Sequence, residues 1–145
     1  MTDLNFEDII GRYFNLNLKK DNYRIYVEEA GQGTPLLCLH TAGSDGRQFR
    51  HILNDKRITN NYRVIVFDLP WHGKSNPPEG YELKDYKLTT NLYKEIIMSF
   101  CKQYKLIDPV IMGCSMGGRV VLHLALEHCD YFKAVIALEG SDKLE

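Results

Sequence analysis

The sequence lacks an excess of charge of either sign: 18 Lys and Arg stand against 19 Asp and Glu, a formal net charge of -1. Charges so balanced and interspersed make no field that would gather phosphates or anionic lipid, so neither nucleic acid nor a membrane surface is expected as a partner. A small-molecule substrate is the remaining expectation. No apolar run approaches the ~18 residues of a membrane span, and the opening MTDLNFEDII carries acids where a secretion leader needs positive charge. The expected location is therefore the cytoplasm. The four cysteines, Cys38, Cys101, Cys114 and Cys129, stand alone within apolar patterns and lack the CxxC spacing of a metal site. Free buried thiols follow, with no metal and no cofactor. Five prolines and eleven glycines are too few for a disordered chain.

What is present suits one globular domain over residues 1–145, long enough to bury roughly two thirds of its unfolded surface. After a short amphipathic opening at residues 6–10, Phe14, Leu16 and Leu18 alternate with polar residues, as do Tyr23, Ile25 and Val27. With Asp21 and Asn22 as turn residues between them, residues 14–29 read as an antiparallel hairpin, which GQGTP at 31–35 ends. The pattern then changes. LLCLH (36–40), RVIVFD (63–68), PVIMG (109–113) and KAVIAL (133–138) are continuous apolar runs, the mark of strands covered on both faces. Helical spacing occupies 48–53, then 89–104 through Leu92, Tyr93, Ile96, Ile97 and Phe100, then 116–128. Strand and helix in alternation imply right-handed crossovers and an α/β fold: a mostly parallel sheet with flanking helices and an antiparallel hairpin at its start.

The stretch VIMGCSMGGRVV (110–121) puts one serine between glycines, after a strand pattern and before a helical one. A sharp strand-to-helix bend needs small flanking residues, because the two elements approach too closely for side chains, and it holds its central residue in a strained conformation. Ser115 would then project beyond the carboxyl end of a strand, where open α/β sheets place ligands. The first N–H groups of the following helix would favour a developing oxyanion there. Cys114, before the bend, suits a small buried filler rather than a nucleophile.

Two other loops follow strands: HTAG at 40–43, and DLPWHGKS at 68–75. Together with Gly113, Ser115, Gly117 and Gly118 they resemble the α/β-hydrolase fold family, in the branch with an H-G-x-x loop, a D-x-P-G-x-G-x-S loop and a G-x-S-x-G-G nucleophile elbow. The resemblance covers residues from about 13 to 140. It departs from the usual pattern at Thr41 and Trp71, where glycine is usual. It implies Ser115 as nucleophile, with the main-chain N–H groups of Ala42 and Met116 as the oxyanion hole; a shift of one residue would put Thr41 or Gly43 in place of Ala42. It further implies that His40 orients its loop rather than acting as base, since the catalytic histidine comes last in the order Ser, Asp or Glu, His.

His72, Asp68 and Ser75 read as loop braces, and His51, His123 and His128 as packed or surface residues. Glu139, at the end of the final strand, stands where some family members place the triad acid, although a strand-end or pocket-lining charge is the more ordinary reading. The sequence stops at Glu145, before the last two core strands and the usual histidine. The expectation is therefore an amino-terminal part, inactive alone, whose exposed sheet edge at 133–139 invites self-association. The implied function is hydrolysis of a small ester, thioester, lactone or carbon-carbon substrate. The alternative is a non-catalytic ligand-binding or interaction protein on the same fold.

Overall fold

A computed structural model describes residues 4–19 and 21–141. Six strands form one sheet in the order β1-β2-β4-β3-β5-β6: β1 (Ile10–Leu18), β2 (Asp21–Ala30), β3 (Thr34–Leu39), β4 (Tyr62–Phe67), β5 (Val110–Cys114) and β6 (Ala134–Leu138). The last four run parallel to one another, whereas β1 and β2 pair antiparallel and β2 joins β4 antiparallel. This is the mostly parallel sheet with an opening hairpin that the apolar patterns predict.

The continuous apolar runs have two covered faces to fill. Leu37, Leu39, Ile65, Phe67 and Ile111 face the long helices α3 (Thr90–Gln103) and α4 (Met116–Glu127), meeting Ile97, Phe100, Val121 and Leu124. Leu36, Cys38, Val64, Val66, Val110 and Met112 face the other way, under Phe49 and Leu53. Phe49 ends a short 3-10 turn (Gly46–Phe49), and Leu53 ends the one-turn helix α1 (Arg50–Leu53). Each fully buried Leu or Ile contributes about 1.5–3 kcal/mol relative to leaving it exposed. Phe100 stacks between Phe67 at 4.6 Å and Tyr104 at 4.9 Å, which fastens α3 to the sheet.

Some local expectations change. The hairpin does not turn at Asp21 and Asn22; these pair with Leu18 and Asn17 inside the ladder, and the reversal falls before them, where Lys19 takes φ 53°. The hydrophobic alternation of 14–29 extends outward at both ends, because register with Glu29 recruits Ile10 to β1. Residues 31–33 do break the chain, but Thr34 and Pro35 already belong to β3, the proline at the strand start, where its missing N–H matters least. A further helix, α2 (Lys56–Thr59), is capped by the Asp55 carboxylate. The cysteines are free, yet only Cys38 and Cys101 are buried; Cys114 is half-buried and Cys129 exposed. Burial pushes the Cys38 and Cys101 thiols up to about 12, so neither is a ready thiolate.

Candidate functional site

The bend at Ser115 is as tight as the glycines require. Ser115 has φ 53° and ψ -110°, a conformation that costs an L residue on the order of 1–3 kcal/mol, and its side chain is exposed. A Cβ on Gly113 would lie 2.3 Å from the carbonyl carbon and oxygen of Gly117, and one on Gly117 would lie 2.6 Å from the Leu39 carbonyl oxygen. The glycines therefore let α4 start directly against the ends of β5 and β3. Two main-chain bonds hold the bend from either side: Ser115 N–H donates to the Leu138 carbonyl at 2.8 Å, and Arg119 N–H donates to the Ser115 carbonyl at 2.8 Å.

Because β3 and β5 are adjacent and parallel, with Leu39 opposite Gly113, the loop that begins at His40 leaves the sheet beside the bend. His40 is completely buried. Its Nε2 accepts the Leu69 N–H at 3.1 Å, and its Nδ1 donates to the Thr41 carbonyl at 2.8 Å, so both nitrogens are committed to backbone. Burial, first among the causes, holds this imidazole below its ordinary value, and it stands neutral as a brace between two loops. Thr41 N–H is taken by the Gln48 side chain at 2.9 Å. Among the described residues, the N–H groups of Ala42 and Met116 have no such partner. Gly43 has φ 66° and closes the turn.

The second loop is tied together by Asp68 and Ser75. Asp68 Oδ1 accepts Gly46 N–H at 2.7 Å and Oδ2 accepts Lys74 N–H at 2.8 Å; Ser75 Oγ donates to the Asp68 carbonyl at 2.6 Å and accepts Tyr26 N–H at 2.8 Å. His72 Nδ1 lies 3.0 Å from the Pro70 carbonyl, and its ring rests 5.1 Å from that of His40. Nearby, Arg47 grips Asp45 through two nitrogens and holds that carboxyl down at about 2.

Trp71, the departure in this loop, adopts φ 70°. That is the left-handed region, where glycine sits freely and a bulky residue is strained by roughly 1–2 kcal/mol. Its indole meets Tyr81 edge-on at 5.3 Å and Tyr86 at 4.9 Å. The sequence offers little signal for this cluster, since the two tyrosines come from a segment without periodicity.

Glu139 follows the residue whose carbonyl anchors Ser115, takes φ 52° and is exposed. The remaining histidines lie elsewhere: His51 on α1, His123 on α4 and His128 at its end. Phe49 is a core residue, and Met116 packs against the α3 and α4 side of the core. Among the described residues no cluster of His, Cys, Asp and Glu has the arrangement of a metal site, and no helix is long and apolar enough to cross a membrane.

A family model described as alpha/beta hydrolase fold matches residues 34–145. Among curated proteins, the chain is similar to the pimeloyl-[acyl-carrier protein] methyl ester esterase of Vibrio vulnificus strain YJ016, 27% identical over 119 residues that cover 82% of this chain and 42% of that protein. Among solved structures, it resembles a thermophilic esterase from Thermogutta terrifontis (TM-score 0.79, 20% identity, 92% of this chain and 47% of that one). It also resembles an epoxide hydrolase from Vigna radiata (TM-score 0.73, 21% identity, 88% and 39%). These two likenesses concern the fold alone. The chain spans about two fifths of the length of the curated relatives it matches.

Proposed function

The chain belongs to the alpha/beta hydrolase fold family, and from that premise we propose that it carries the nucleophile and oxyanion hole of a serine hydrolase acting on a small-molecule carboxylic ester or a related acyl compound. The observation that carries this reading is the strained, exposed Ser115 at φ 53° on the join of β5 and α4. The strain there holds an exposed hydroxyl beyond the carboxyl end of a strand, where open α/β sheets place ligands. The esterase among the curated relatives supports an ester over the other acyl compounds.

In this reading Ser115 Oγ bonds to the substrate carbonyl carbon while its proton passes to a base. The carbonyl π pair moves onto oxygen, which the main-chain N–H groups of Ala42 and Met116 receive. The tetrahedral adduct then collapses to the acyl-serine, its leaving group takes up a proton, and water repeats the sequence to release the acid. His40 cannot serve as that base, because its Nε2 is occupied by Leu69 N–H. The base is assigned to a histidine outside these 145 residues. Glu139, the residue after Leu138, which pairs with Cys114, is the acid that this chain itself offers; a pocket-lining charge is its simpler role.

A second reading is favoured by one observation: among the described residues, Ser115 Oγ has no imidazole partner. In that reading the fold binds a small ligand without turning it over. Labelling with a fluorophosphonate separates the two. Stoichiometric modification of the protein that disappears in Ser115→Ala is the expected result, and folded protein that stays unmodified while binding ligand would favour the receptor.

A further inference from the structure

The aromatic cluster at Trp71 is not used by the chemistry above, and it combines three independent features. The first is strain: a tryptophan occupies a left-handed position that glycine would fill without cost. Outliers of this kind concentrate at ligand clamps. The second is an open ring array. Trp71 is half-buried, and Tyr81 and Tyr86, its partners at 5.3 Å and 4.9 Å, are 42% and 45% exposed, so aromatic surface is held in place without being consumed by the core. The third is a cavity of about 140 Å³ beside the indole, where an apolar wall of Trp71, Leu88, Leu92 and Ile96 meets a charged one that includes the Lys84–Asp21 ion pair. A volume of this size has room for one benzene-sized ring.

The position of this cavity relates it to Ser115. Trp71 leaves the carboxyl end of β4, Ser115 the carboxyl end of β5, and only β3 separates them. At about 4.8 Å per strand the two ends stand roughly 10 Å apart on one edge of the sheet. His72, next to Trp71, packs on His40, from which the Ala42 loop begins. Trp71 lies four residues beyond the end of β4, and its cavity reaches toward β2 and α3, so a ligand with its carbonyl at Ser115 needs a tether to reach the indole.

We propose that Trp71 and Tyr86 seat an aromatic ring, making the protein selective for acyl compounds that carry an arene on a short tether. The link to a carbonyl rests on the hydrolase reading; the ring seat itself does not. Aliphatic ends are disfavoured because an indole and a phenol, tilted and edge-on, present the alternating face and edge that another ring matches.

Trp71 is the only tryptophan of these 145 residues, so its emission reports on the seat alone. Titration of the chain with 4-phenylbutyrate should give a saturable change in that emission at low millimolar concentration, while hexanoate gives none. Binding followed by calorimetry should weaken about tenfold or more in Trp71→Gly and by less than about threefold in Trp71→Phe. Glycine accepts the left-handed backbone, so loss of binding in the first variant would not come from unfolding, and thermal melting checks this. An equal response to hexanoate, unchanged binding in Trp71→Gly, or no saturation with 4-phenylbutyrate would each overturn the proposal. Failure of fluorophosphonate labelling together with a normal titration would remove the hydrolase reading and leave the ring seat standing. Labelling without ring binding would do the reverse.

Discussion

A buried imidazole with both nitrogens bonded to backbone makes the fold sensitive to acid. His40 is fully buried, and burial holds its protonation below the ordinary 6.5; the His72 ring adds in the same direction, while Thr41, Asp68 and Asp45 oppose it. The folded protein therefore binds this proton less readily than the unfolded chain, and stability must rise with pH across the interval between the two values. The contribution is complete above about pH 6.5 and is lost as pH falls through the lower, folded value. Urea midpoints measured from pH 8 down to pH 5.5 should decline in the native sequence. His40→Gln should be less stable at pH 8 by about 1–3 kcal/mol, since it leaves Leu69 N–H or the Thr41 carbonyl unpaired, and its slope should be shallower. Parallel slopes in the two proteins would exclude His40 as the group responsible.

At the scale of elements, α3 shows how a helix end is built and where it is imperfect. Thr89 caps its start by accepting Leu92 N–H at 3.1 Å. At its end Leu106 N–H reaches back to the Cys101 carbonyl at 2.9 Å and Lys105 N–H to the Lys102 carbonyl at 3.1 Å, a Schellman closure in which Lys105 carries φ 56°. Glycine is the residue that such a position favours. Lys105→Gly is expected to raise stability by up to about 1 kcal/mol, read as a higher urea midpoint with an unchanged slope. Elements of this kind were legible in advance because local pattern and tertiary demand agree: period 3.6 in 89–104, unbroken apolar runs in strands covered on both faces, and glycines around Ser115 where α4 touches β3 and β5. The hairpin turn was not legible, because Asp21 and Asn22 have turn chemistry while the ladder register pulls them into β2. Nor was the role of Gln48, whose bond to Thr41 N–H depends on a fold-wide approach that no spacing announces.

For the whole molecule, the sheet is asymmetric. One edge ends in the antiparallel pair β1 and β2, and the other in β6, where Ala134, Ile136 and Leu138 are exposed among the described residues. Ser115 lies toward this second edge, at the end of β5, one strand in. With no imidazole bonded to Ser115 Oγ among the described residues, the 145-residue chain should show little or no turnover of 4-nitrophenyl acetate. Robust turnover abolished in Ser115→Ala would require a base within these residues and would end the assignment of that role to a histidine elsewhere. The bond from Ser115 N–H to the Leu138 carbonyl has a wider meaning. It makes β6 a keel for the strained bend: peeling β6 from β5 would release that amide and let Ser115 relax toward an ordinary conformation. Whatever secures this rim of the protein also sets how sharply the Ser115 hydroxyl is presented, so fraying at the periphery would be felt first at that bend and only later as a loss of fold.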